Sequence, residues 1–100
     1  MTSYRLSNEA KDDLLRIHEF GTVVFGSDQA DKYLNNFFDC FDLIAKQPMA
    51  FQSVDHIKKG YKRCVCGVDS IFYRIENDVV EIITIIGRQD INQIFNNKLI

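Results

Sequence analysis

The sequence predicts an α+β domain with a short N-terminal strand, a helical hairpin and a three-stranded antiparallel meander, in the order β-αα-βββ. Three observations predict it. Two apolar repeats at helical spacing follow one another across a single glycine. Three strand-like runs between residues 61 and 86 are joined by short polar links. No linker, internal repeat or low-complexity segment interrupts the 100 residues, so 1–100 reads as one domain. Helices followed by strands, rather than alternating with them, lay a hairpin on one face of a sheet.

The first element is "YRLS" at 4–7, a short strand. Ser7 is placed to cap the helix that follows, and Glu9, Asp12 and Asp13 suit its positive end. Paired acids such as Asp12 and Asp13 at a helix start are expected to be solvated. Ala10, Leu14, Ile17, Gly21 and Val24 recur at helical spacing, which predicts a helix over 8–25. Gly26 ends it, and Ser27 or Asp28 begins the next. There Ala30, Tyr33, Leu34, Phe37, Phe38, Phe41, Ile44 and Ala45 form a broad stripe, closed by Pro48. So short a connection makes the two helices antiparallel. A loop of about a dozen residues leads to the strands "YKRCVCG" (61–67), "SIFYRI" (70–75) and "VVEIITII" (79–86). The segment 90–100 reads as a short C-terminal helix or as a fraying end.

The last strand departs from the alternation of a sheet covered on one side. Simple alternation puts Val80, Ile82, Thr84 and Ile86 on one face and Val79, Glu81, Ile83 and Ile85 on the other. The hairpin covers one face only. The second apolar face is expected to meet a partner, the alternative being a central strand shielded by strand ends and the tail.

Composition bounds the function. The chain is 46% apolar and 26% charged, with net charge −2. It has no apolar run of about 18 residues and no basic segment leading into an apolar block, which points to the cytoplasm without a membrane span. Three cysteines, an odd number, fit reduced thiols better than a disulfide framework. Residues 56–100 carry seven Lys/Arg against five Asp/Glu, and "HIKKGYKRC" holds Lys58, Lys59, Lys62 and Arg63 with no acid among them. That is a local basic patch, too small for a dedicated DNA binder.

Catalytic chemistry finds little support. Cys64 and Cys66 share a strand face, but Cys40, His18 and His56 stand at no metal-ligand spacing, so no metal is expected. No histidine is placed to activate a thiol, and no glycine-rich loop suggests a nucleotide cofactor; none is expected. What remains is basic and aromatic: Tyr61, Arg63, Tyr73, Arg74 and Arg88. If their strands pair in phase, Arg63 and Arg74 project from one sheet face. There they suit RNA phosphates or the carboxylates of a protein partner.

The order and spacing of "YRLSNEAKDDLLRI", a "G…QADKYLNNF" second helix, "IKKGYKRCVCGVDSIFYRI" and "VVEIITIIGRQD" resemble the ParE toxins of bacterial ParDE toxin–antitoxin modules, in the RelE/ParE superfamily. The most telling pieces are YRLS-x-EA-x-x-DL, GYKR at 60–63, FYR at 72–74 and RQD at 88–90, and the likeness runs from Tyr4 to about Asp90. It implies a toxin bound by a ParD-like ribbon-helix-helix antitoxin whose C-terminal segment folds over it, with operator DNA contacted only through the antitoxin. It also implies DNA gyrase as the target, replication arrest, and a hetero-oligomer with the antitoxin. On that basis Arg63, Tyr73, Arg74, Ile83, Ile85, Arg88 and Asp90 are the candidates for antitoxin or target binding, and no residue is assigned a catalytic role. The RelE branch instead cuts mRNA on the ribosome, usually with a Tyr or His near the C-terminus. Here "INQIFNNKLI" supplies no Tyr, His or Arg. Gly87 also stands where ParE toxins often carry a His or another polar residue. A ribosome-dependent nuclease and a non-toxic, antitoxin-binding co-repressor are the alternatives.

Overall fold

The computed structural model describes residues 3–87. The anticipated tail 90–100, with Arg88 and Asp90, lies outside them. The order is β1 (Tyr4–Leu6), α1 (Asn8–Phe25), α2 (Ser27–Lys46), β2 (Gln52–Ser53), β3 (Lys62–Cys66), β4 (Asp69–Glu76) and β5 (Val79–Gly87). The expected β-αα-βββ arrangement is present, with one addition. Two residues of the anticipated loop, Gln52 and Ser53, pair with Arg63 and Lys62 as an edge strand. A two-residue strand has no periodicity to detect.

The sheet order is β1-β5-β4-β3-β2. β3, β4 and β5 form the antiparallel meander, whereas β1 runs parallel to β5, so the sheet is mixed. Its tight turns follow from residue type. Asn77 and Asp78 have φ of 53° and 62°, the left-handed pair that a two-residue hairpin turn requires. Gly67 has φ of 62°, and a Cβ there would lie 2.8 Å from the Tyr33 ring, so only glycine fits.

β5 is an interior strand, between β1 and β4, and both its faces are covered, which explains its apolar character on both sides. A bulge resets its alternation: Thr84 pairs with Phe72 and Ile82 with Tyr73, leaving Ile83 as the extra residue. Val80, Ile82 and Ile85 therefore pack under the helices with Phe37, Phe41, Ile44, Ile71 and Tyr73. Ile83 and Ile86 fall on the opposite face with Phe72, where Val54, Ile57 and Tyr61 of the α2–β3 connection join them. The alternation expected from sequence is thus corrected after Ile83: Ile85 and Ile86 exchange faces. The open apolar strip expected on this strand is absent too, since Ile83 is 8% exposed and Ile86 2%.

Beyond Ile82, β1 has turned away toward α1, and side chains replace the missing strand. Ser7 caps α1, its Oγ accepting from the Ala10 N–H at 3.0 Å, and its hydroxyl donates to the Ile83 carbonyl at 2.6 Å. Asp13 is buried rather than solvated. Its Oδ2 accepts from the Thr84 hydroxyl at 2.7 Å and the Ile85 N–H at 2.9 Å, and Arg16 donates to its Oδ1 at 3.1 Å. Helix spacing alone could not show this, because the donors come from a bulge about 70 residues away. Removing the carboxylate strands two buried donors. Asp13→Ala is therefore expected to destabilise the domain by about 3 kcal/mol in urea unfolding. Asp12→Ala, at an exposed neighbouring position, should change stability by no more than about 0.5 kcal/mol.

Candidate functional site

Two surfaces stand out. The first is the outer face of the sheet, away from the hairpin. Arg63 pairs with Phe72 across β3 and β4, so Arg63 and Arg74 do share this face. Both are engaged by their own chain. Arg63 donates to the Ser70 hydroxyl at 2.8 Å. Arg74 donates to Glu81 at 2.8 Å and to Glu76 at 2.7 Å, and Arg5 also reaches Glu81, at 3.2 Å. Burial alone would raise the Glu81 carboxyl, but hydrogen bonds from Arg74 and Arg5 outweigh it and hold the group below the usual carboxylate range.

The other sequence candidates scatter. Tyr73 is fully buried beneath the helices, donating to the Pro48 carbonyl at 2.6 Å, and burial pushes its phenol upward. Ile85 lies in that same core, whereas Ile83 lies under the α2–β3 connection. The basic run does not act as one patch: Lys58 and Lys59 are exposed in a turn closed by Asp55, which accepts from the Gly60 N–H at 2.8 Å, while Lys62 donates to the Phe51 carbonyl at 3.4 Å.

The second surface was missed by the sequence reasoning. The end of the helical hairpin overhangs the sheet and is apolar nearly all round. Phe20 is 65% exposed, Val23 86% and Phe25 68%, and Val24 is exposed beside them. The core stripe expected over α1 fades here, because Val24 has no sheet beneath it. The legible signal was "FGTVVF", in which Phe20, Val23 and Phe25 fall off that stripe; a helix apolar all round is normally covered. Gly21 allows the two helices to meet closely, its Cβ position lying 3.4 Å from the Ala30 Cβ.

Between this tip, the β3–β4 turn and the end of β5 lies a groove of about 1060 Å³. Its walls are mainly apolar, with Ile17, Phe20, Phe25 and Val68 among them. Its polar lining comes from Arg16, Gln29, Tyr33 and Asp69, and the Tyr33 hydroxyl donates to Asp69 at 2.6 Å. A smaller groove of about 340 Å³ runs along the hairpin between Leu14, Leu15, Leu34 and Phe38. Among the described residues no cluster of three metal-ligating side chains occurs, and no helix is long and apolar enough to cross a membrane.

Fold and surface together define a small protein with an enclosed sheet and an uncovered hairpin. Comparison with known proteins gives it a family. The sequence profile described as "ParE toxin of type II toxin-antitoxin system, parDE" matches residues 4–92, and the chain belongs to this family. Toxin ParE1 of Caulobacter vibrioides is 35% identical over 75 residues, covering 75% of this chain and 78% of that protein. Toxin ParE1 of Mycobacterium tuberculosis is 27% identical over 92 residues, covering 90% of this chain and 94% of the relative. Among solved structures, the chromosomal ParDE TA system from P. aeruginosa superposes with a TM-score of 0.77 at 17% identity, over 87% of this chain and 96% of that one, a likeness of fold.

The charge lattice on the outer face has a pH signature. Because the folded-state pKa of Glu81 is depressed, its contribution is present above the ordinary carboxylate value and is lost as pH falls through the folded value. Glu81→Gln is expected to flatten the acid limb of thermal stability between about pH 5 and pH 3 relative to the parent. Parallel limbs for the two proteins would show that the lattice contributes nothing.

Proposed function

We propose that this chain is the toxin of a type II module whose antitoxin docks on the apolar end of the helical hairpin, and that the free toxin poisons DNA gyrase by binding rather than by cleaving nucleic acid. The carrying observation is the contiguous exposure of Phe20, Val23, Val24 and Phe25 beside a groove large enough for a peptide segment. An antitoxin segment that folds on binding buries such a surface at one stroke, with apolar anchors at helical spacing entering the groove. The P. aeruginosa neighbour is itself described as a ParDE system, which supports an antitoxin partner here.

Gyrase as the target rests on membership of the ParE family. A binding mode of action is supported by the state of the ionisable groups. Glu76 and Glu81, the carboxylates nearest Arg74, are both engaged by arginines. His18 pairs with Asp31 at 2.8 Å on the hairpin, on the other side of the sheet from Arg63 and Arg74. Attack of a 2′-hydroxyl needs an acid or base within hydrogen-bond reach of those cations, and Glu76, Glu81 and His18 are each already engaged by another side chain.

Two outcomes are expected. Phe20→Asp with Val23→Asp should leave the melting temperature within about 2 °C of the parent, since both positions are exposed, yet weaken antitoxin binding by roughly 30-fold or more in calorimetry. Unchanged affinity would place the antitoxin elsewhere. The purified toxin should block supercoiling by purified gyrase in proportion to its concentration. Unaffected supercoiling combined with fragmented transcripts in a translating extract would instead make it a nuclease.

A further inference from the structure

Three thiols meet where the hairpin rests on the sheet. Cys40 is carried by α2 and is half buried; Cys64 and Cys66 stand on the helix-facing side of β3, both buried. Cys40 Sγ lies 2.8 Å from Cys66 Sγ. Cys64 also feels Cys40, but its thiol donates to the adjacent Val65 carbonyl at 3.8 Å. We propose that Cys40 and Cys66 form a modification site, a reversible disulfide made by a hydroperoxide, which fastens α2 to β3.

The separation exceeds an S–S bond by only about 0.8 Å, a gap that small side-chain rotations close. Both residues sit on packed elements, and the Tyr33 hydroxyl of α2 already reaches the Cys66 carbonyl of β3 at 3.4 Å. Access sets the order of events. Cys40 is the thiol within reach of solvent; Cys66 is held protonated by burial and by its contact with Cys40, and burial likewise pushes Cys64 up to about 11. The Cys40 sulfur attacks the peroxide, the O–O bond breaks, the thiol proton passes to the leaving oxygen, and the products are a Cys40 sulfenic acid and water or an alcohol. The Cys66 sulfur then attacks Cys40 Sγ. The S–S bond forms as the S–O bond breaks, and the departing hydroxide takes the Cys66 proton and leaves as water. Two thiols and one hydroperoxide thus give one disulfide, one water and one water or alcohol; the sulfurs supply two electrons and the peroxide oxygens accept them. A reducing compartment keeps such a pair open until peroxide appears, and a dithiol or thioredoxin-like reductant reverses it.

The bridge closes a loop between positions 26 apart in sequence and ties the hairpin to the strand leading into Val68, a wall of the larger groove. If the antitoxin docks there, as proposed above, oxidation stiffens its docking surface. The disulfide itself does not depend on that reading.

The test is treatment of the purified full chain with hydrogen peroxide, followed by alkylation and mass spectrometry without reductant. Against an untreated, equally alkylated control, the monomer is expected to lack the label on two cysteines and to be about 2 Da lighter besides, with the tryptic peptide 33–46 joined to 64–74. Cys64 and Cys66 share the latter peptide, so variants assign the bond. Cys64→Ser should still cross-link, while Cys40→Ser and Cys66→Ser should not. The oxidised protein should melt about 10 °C higher, an increase reversed by dithiothreitol. Loss of the cross-link in Cys64→Ser, oxygen adducts without a cross-link, or bonds between chains would each overturn the proposal. Cys40→Ser, at a half-buried position, carries the test alone if Cys66→Ser fails to fold.

Discussion

The Asp13 carboxylate, held between the bulge of β5 and Arg16, is the interaction on which the remaining structure depends. β1 covers one edge of β5 only as far as Ile82. Past that point the central strand would present bare backbone inside the protein, an arrangement that costs about 1–3 kcal/mol for each unpaired group. Ser7 takes the Ile83 carbonyl and Asp13 the Ile85 N–H, so the first two turns of α1 act as the missing strand. The bulge and the carboxylate suit one another: the extra residue re-aims the backbone, and the helix supplies the acceptor. This fixes where the hairpin sits on the sheet and which isoleucines lie beneath it.

From that placement the distribution of exposed surface follows. With the bulge, β5 turns Ile82 and Ile85 to the helices and Ile83 and Ile86 to the α2–β3 connection, and both faces are covered by the chain itself. The arginines of the outer face are engaged as well. Apolar surface remains open at the hairpin's far end, where the C-terminal end of α1 leaves Phe20, Val23, Val24 and Phe25 exposed. An exposed apolar patch of this kind adds little stability to the isolated chain and is the sort of surface that partners bury.

Much of the architecture was legible in the sequence because local chemistry dictated it. Ser7, Gly26 and Pro48 mark the helix ends, Asn77–Asp78 marks a turn, and the apolar stripes have helical period. The resemblance carried by YRLSNEA and GYKR led to the family that the comparisons support. What was not legible depends on distant pairings. The bulge at Ile83 leaves no mark in "EIITII", yet it reverses the faces of Ile85 and Ile86, and with them the basis for grouping Ile83 with Ile85 as binding residues. Asp13 reads as a solvated helix-start acid until β5 is placed against it. Tyr73 looks like a recognition aromatic beside Arg74, but strand alternation puts the two on opposite faces, with Tyr73 in the core. The exposed hairpin end was readable in "FGTVVF" and was passed over because a single core stripe already accounted for the helix.

The most direct measurement is hydrogen exchange of the full chain, alone and with its antitoxin, followed peptide by peptide. The account predicts that antitoxin binding slows exchange chiefly over residues 15–30, at the end of the hairpin, and changes little over 79–87, where β5 is already paired with β4 and closed on its other edge by β1, Ser7 and Asp13. New protection centred on β5 and the outer sheet face, with the hairpin end unchanged, would contradict it and return the partner surface to the strand.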